Sequence, residues 1–257
     1  MSDRYGLEWV DVTFGLEPRW TTEPDITIIT QLARKHLSLD DTTPVNATFH
    51  KQGAFNKLYR ISSDGPECLM RVSLPVQPRL KTESEVAAIN FISQETSMPV
   101  PRILAFDSDS GNELGFEWSL MEMMPGVPLG KRWRKMSWVA KETIVRQLAG
   151  YQAQLFAKRF EKIGNLFPCE NSQAEAPEGC QLWYRLFVLG RIVSLIFFWG
   201  DHATHDAPRG PFETSSKHDW LQARLSFVIT DQDHILRLPT TRTISRTLRP
   251  RRTLRRG

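Results

Sequence analysis

At 257 residues, 40% of them apolar and 10% aromatic, the chain can bury one or two ordinary cores, which excludes a disordered protein. Its formal charge of +4 is uneven: residues 240–257 hold seven arginines and no acid, so the first 239 residues carry −3 and the basic character belongs to a tail. No apolar run reaches membrane length (the longest, 186–199, contains Arg191), no signal-peptide core follows Met1, and Cys68, Cys169 and Cys180 lack metal-ligand spacing; an intracellular, cytoplasmic protein is expected.

Residues 1–24 set Trp9, Phe14 and Trp20 among prolines and acids and read as an arm lying on the strand-rich block of residues 45–124. Asp25 caps a helix predicted to run to about Leu37, with Ile28, Ile29 and Leu32 inward. Residues 45–50 alternate apolar and polar, 51–56 turn around Gly53, and 57–62 alternate again, which predicts a β-hairpin. After a turn at Ser63-Asp64-Gly65-Pro66, residues 68–72 form a third strand with Arg71 inside an otherwise apolar segment. A buried strand cation needs an anion, and the acidic start of the helix after Pro75 and Pro78 can supply it. Val86, Ile89 and Ile92 give that helix its stripe.

Residues 99–107, stiffened by Pro99 and Pro101, enter a fourth strand, and 116–124 form a fifth that stops at Pro125-Gly126-Val127-Pro128. Lys131-Arg132-Trp133-Arg134-Lys135 reads as a solvated helix face, with a nucleic-acid patch as its rival. Ser137 caps a helix running to Lys158, on which Ile144, Leu148, Tyr151 and Leu155 recur at helical spacing. A polar loop is expected at 170–179, and a helix with Trp220, Leu221, Leu225 and Val228 on one face.

The order of Gly53-Ala54-Phe55-Asn56-Lys57-Leu58-Tyr59-Arg60, Arg71 and Glu85 resembles the small lobe of the aminoglycoside phosphotransferase and choline-kinase-like family, especially its fungal members. The resemblance spans residues 25–236 and implies an α+β, protein-kinase-like fold. It sets Gly53 and Asn56 in the loop over the ATP phosphates, Arg71 where the family has a strand lysine, and Glu85 as its helix partner. Glu122, Met123 and Met124 fall where backbone groups bond adenine; on the residues alone, they are a core strand ending in a turn. Arg71 departs from the family, because a planar guanidinium is not equivalent to a compact ammonium. ATP and magnesium are the implied cofactors, and phosphorylation of a small-molecule hydroxyl, as on an aminoglycoside or an amino alcohol, is the implied activity.

The family's His-x-Asp-x-x-x-x-Asn loop is missing: none of the six histidines has an aspartate two positions later, and the last asparagine is Asn171. Residues 227–234 imitate a metal strand through Asp231 and Asp233, but a continuous helix is the simpler account. His202, His205 and Asp206 suggest a zinc site, an acid-base pair or a capped loop. The expected layout is therefore an arm and helix over 1–44, a small lobe over 45–124, a partial helical large lobe over 125–236 and a basic tail over 237–257. That is a chain cut short and inactive, its end read from a shifted frame or intron, or else a genuine basic arm. A non-catalytic nucleotide-binding or scaffold protein, or a weak polyanion binder acting through the tail, are the alternatives. In a chain cut short, residues 186–199 and the Trp220 face should lack a cover and meet water.

Overall fold

Alternation along five segments builds one antiparallel sheet. The computed structural model describes residues 4–13, 15–169, 187–200 and 202–215. A hairpin of β1 (Leu7–Val12) and β2 (Gly15–Trp20) leads into α1 (Ile26–His36), and the sheet is built from β3 (Asn46–Gln52), β4 (Asn56–Ser62), β5 (Cys68–Ser73), β6 (Ile103–Asp107) and β7 (Glu117–Glu122). Its strand order is β3-β4-β5-β7-β6, with α2 (Leu80–Glu95) inserted after β5. The chain is thus α+β. The arm is a hairpin rather than an irregular strap, and the β3–β4 turn shrinks to residues 53–55, because pairing continues to Gln52↔Lys57.

One face of the sheet is apolar: Tyr59, Ile61, Met70, Val72, Trp118 and Leu120 pack on Ile29, Leu32 and Ala33 of α1. That helix begins where the Asp25 carboxylate accepts the Thr27 N–H at 2.7 Å, and ends on Arg34, Lys35 and His36, which suit the negative end of its dipole. The β1–β2 hairpin and the turn before it pack beside the start of β7, where the Trp20 and Tyr5 rings lie tilted against Phe116. Gly6 makes that approach possible: its φ is +78°, and a Cβ there would stand 2.3 Å from the Phe116 ring.

The opposite face carries α2, which is covered on its other side as well. β8 (Asn165–Pro168) and β9 (Phe187–Gly190) form a hairpin behind it, where Phe187 meets Ala87 and Phe91, and the Asn165 amide donates to Ser84 at 2.8 Å. The buried residues of α2 therefore wrap around it, including Val86, Ala87 and Phe91 as well as Lys81 and Glu83. The single stripe Val86-Ile89-Ile92 is corrected accordingly: Ile89 and Ile92 are only half-buried.

Residues 187–200 overturn the expectation that they lack a cover. Phe197 is 1% and Phe198 5% exposed in and beside a short helical turn, α5 (Leu195–Phe198). Phe198 packs with Leu7, Leu74 and Val76, and Phe197 with Ile192 and Phe212. The small lobe and the β1 strand cover Phe198, the segment's own neighbours cover Phe197, and burying each ring contributes about 1.5–3 kcal/mol. The helix predicted through Trp220 and the tail lie outside the described residues.

Between these parts run a short helix, α3 (Leu129–Arg132), a 3-10 turn at Trp133–Lys135, and α4 (Trp138–Phe156), capped by Ser137 accepting the Ala140 N–H. No residue of α4 is buried among the described residues, although Ile144, Tyr151 and Leu155 are half-covered. No described helix is long and apolar enough to cross a membrane.

Candidate functional site

Strand pairing decides which side chains share the α2 face of the sheet. Asn56 stands opposite Ser73, Leu58 opposite Arg71, Arg71 opposite Ser119, Leu69 opposite Met121 and Ser73 opposite Glu117, so all of these point away from the α1 core. Lys57, one residue out of phase, points the other way. It is buried, paired with Glu23, and lies 4.7 Å from the centre of the Trp20 ring, so it takes no part in this face.

Three of the residues singled out from sequence meet here. The Arg71 Nη2 is 2.7 Å from Glu85 Oε2 across the gap from β5 to α2. A fourth group completes the cluster. Lys81, in the first turn of α2 and 6% exposed, places its Nζ 3.2 Å from Glu85 Oε1 and 3.2 Å from Asn56 Oδ1, which also accepts the Ser73 hydroxyl at 2.9 Å. Burial pulls the Lys81 ammonium below its ordinary pKa, against the opposing pull of Glu85. Glu117 lies at the edge of the cluster, accepting the Arg79 N–H at 2.7 Å, and burial pushes its carboxyl above the usual range. Glu83 is occupied by Arg79 at 2.6 Å and by the Ser108 hydroxyl at 3.0 Å.

Lys81 and Glu117 were missed because isolated charges near a helix start or strand start are by default solvated. The available signal was spacing: Lys81 and Glu85 lie four apart on one helix face.

The remaining predicted residues frame the cluster. Gly53 sits in the β3–β4 turn, its N–H donating to the Asn56 carbonyl at 2.9 Å, with open space around its Cα. Glu122 closes β7 and pairs with Arg102 at 2.9 Å. The Met123 N–H donates to the Glu67 carbonyl at 3.1 Å, whereas the Met123 carbonyl and both backbone groups of Met124 carry no hydrogen bond among the described residues. Half-buried Leu69 lies between this strand end and Arg71, and half-buried Leu58 flanks Arg71 on its other side.

Among the described residues no three His, Cys, Asp or Glu side chains converge as a metal site. His202 and His205 stack at 5.3 Å within a loop braced by Arg209, whose guanidinium donates to the Phe197 and His202 carbonyls; the capped-loop reading fits this geometry. The imitation metal strand at 227–234 lies outside the described residues.

A five-stranded antiparallel sheet whose third strand offers a cation to a carboxylate on the next helix is the small lobe of a kinase-like phosphotransferase. A model of the phosphotransferase enzyme family matches residues 46–242, and the chain belongs to that family. It is 29% identical over 171 residues to a subtelomeric hrmA-associated cluster protein of Aspergillus fumigatus, covering 64% of this chain and 32% of that protein. It is 28% identical over 132 residues to altered inheritance of mitochondria protein 9, mitochondrial, of Candida tropicalis, covering 47% of this chain and 21% of that one. The chain thus spans a third or less of these relatives. Among solved structures, a Haemophilus somnus protein named for fructosamine-3-kinase is 16% identical, covering 53% of this chain and 41% of that one, with a TM-score of 0.37. That likeness is too slight to argue from.

Proposed function

We propose that this chain holds a nucleoside triphosphate, ATP in the first instance, against the α2 face of its sheet, and that as it stands it does not transfer phosphate. Arg71 carries this reading. Its half-buried guanidinium has five N–H donors, and only the bond to Glu85 engages them among the described residues, so the rest are available to phosphate oxygens. Gly53 and Asn56 would border the phosphates. Leu58 and Leu69 would bear on the base, and the open backbone groups of Met123 and Met124 would meet its edge. Catalysis needs in addition a base for the acceptor hydroxyl and carboxylates or amides for the metal, and the sequence contains no His-x-Asp-x-x-x-x-Asn.

The arginine tail adds weak polyanion binding to this proposal. The free thiols of Cys68 and Cys169 favour an intracellular, cytoplasmic setting. The test pairs binding with turnover. Calorimetry should find saturable ATP binding that Arg71→Ala abolishes, while labelled ATP with magnesium and a panel of aminoglycosides and amino alcohols yields no phosphorylated product. Absence of ATP binding, or turnover that Glu85→Ala abolishes, would overturn it.

A further inference from the structure

We infer that Lys81 makes the Arg71–Glu85 pair an anion-binding one: by occupying the Glu85 carboxylate together with Asn56, it leaves the Arg71 guanidinium free for a polyphosphate. The inference rests on the nucleotide reading above for its ligand, but on geometry for the anion site itself.

An arginine facing a glutamate alone is a neutral pair, and an arriving phosphate must compete with the carboxylate for the same fork of donors. Here one carboxylate serves two cations. Arg71 reaches Oε2 at 2.7 Å, and Lys81 reaches Oε1 at 3.2 Å and Oε2 at 3.4 Å. The other acceptor of Lys81 is the neutral Asn56 amide oxygen, which cancels no charge. Counted formally over Arg71, Lys81, Glu85 and Asn56, the cluster has one positive charge in surplus.

The neighbouring acids are engaged by other groups. Glu117 on β7, the other carboxyl acting on Lys81, is 2% exposed and has its own partner in the Arg79 N–H at 2.7 Å. Glu83 is engaged by Arg79 and Ser108.

A merely structural role explains the arrangement poorly. A lysine–glutamate pair four apart on a helix stabilises little even where water solvates both ends, and here the ammonium has been stripped of water as well. The exposure gradient runs the right way for a ligand: Lys81 is sealed beneath, while the Arg71 side chain remains 23% open above it. Lys81 is thus a positioning residue acting through Glu85, and it supplies the compact ammonium that the strand position lacks.

Calorimetry at low ionic strength on the full chain tests this with ATP, inorganic tripolyphosphate and adenosine as probes. Lys81→Met should weaken ATP and tripolyphosphate roughly tenfold and leave adenosine unchanged. Lys81→Arg should retain binding. Adding Glu85→Gln to Lys81→Met should restore it, because the charge surplus returns although another partner is lost. A Lys81→Met protein that binds ATP like the wild type, or a double variant no tighter than Lys81→Met, overturns the inference. Should Lys81→Met fail to fold, Glu85→Gln alone decides: the surplus requires ATP binding at least as tight as wild type, and clear weakening overturns it. Wild-type binding of tripolyphosphate that depends on Lys81, without adenosine binding, would sustain the anion site and remove the nucleotide reading. Binding of neither probe by the wild type overturns both.

Discussion

Two buried charges, Lys57 and Glu117, face opposite sides of the same sheet and should answer to different perturbations. The Lys57 ammonium lies over the Trp20 ring with Glu23 as its counterion, and Glu23 itself reaches solvent. Glu23→Gln leaves a buried cation with only the ring to balance it, so a loss of about 1–2 kcal/mol is expected, less than for a wholly buried pair. Lys57→Met, which removes the charge with its partner's purpose, should be close to neutral; urea midpoints of the two variants compare them. Glu117 follows the pH. Its folded pKa is raised above the ordinary 4.5, so the folded state retains a proton that the unfolded chain releases. Its contribution is full below that ordinary value and is lost as pH rises through the folded one. Glu117→Gln should therefore match the wild type near pH 4 and be the more stable protein near pH 8, and a variant less stable at both would show that the ionised carboxylate is what the fold needs. Of these residues the sequence made Arg71 and Glu85 legible, because a cation in an apolar strand demands a partner. Lys57 reads as the polar first residue of an alternating strand, and nothing in its neighbours in sequence announces Glu23 or Trp20.

At the level of elements, alternation on either side of Gly53 was enough to place the β3–β4 hairpin, and the caps Asp25 and Ser137 were enough to start α1 and α4. What pattern alone could not supply was who covers whom. Residues 187–200 have the composition of a core segment, and only long-range packing reveals that Phe198 packs against the small lobe while Phe197 packs against Phe212. The consequence falls on the turn beside the candidate site. Phe55 stands edge-on to Phe198 and to Trp199, each at 5.7 Å, and Trp199 in turn packs on Trp9 at 5.5 Å. Residues 53–55 are thereby pinned to a segment distant in sequence. Trp199→Ala should free the turn while leaving the sheet paired: amide exchange at Gly53 and Asn56 should quicken, with β5 and β7 unchanged, at a cost of about 1–3 kcal/mol because Trp199 is only half-buried. Uniform loss of protection across all five strands would mean instead that the aromatic cluster holds the sheet together.

At the scale of the molecule, packing among the described residues is lopsided. The sheet is covered on one face by α1 and on the other by α2, with β8, β9 and α5 closing around them, whereas α4 is fastened chiefly at its end: Gln154 exchanges hydrogen bonds with Ser97, and Lys158 pairs with Glu95. Along the rest of that helix apolar side chains stand open, with Trp138 at 78% and Phe156 at 84% exposure, and Leu148 of the predicted inward stripe at 53%. The periodicity was read correctly, since Ile144, Tyr151 and Leu155 do line one side, yet an amphipathic pattern states only that a cover is suited, not that the described residues provide it. The energetic contrast between the two helices is testable. Ile29 of α1 is completely buried, so Ile29→Glu would place a carboxylate in a dry core and should cost about 4 kcal/mol or more, enough to unfold a domain of ordinary stability. Leu148→Glu introduces the same charge where water already reaches, and should shift stability by no more than about 0.5 kcal/mol. Urea denaturation of both variants, followed by tryptophan fluorescence, makes the comparison. A Leu148→Glu protein as damaged as Ile29→Glu would mean that α4 is covered in solution, by residues beyond those described or by a second copy, and the concentration dependence of its unfolding midpoint separates the two.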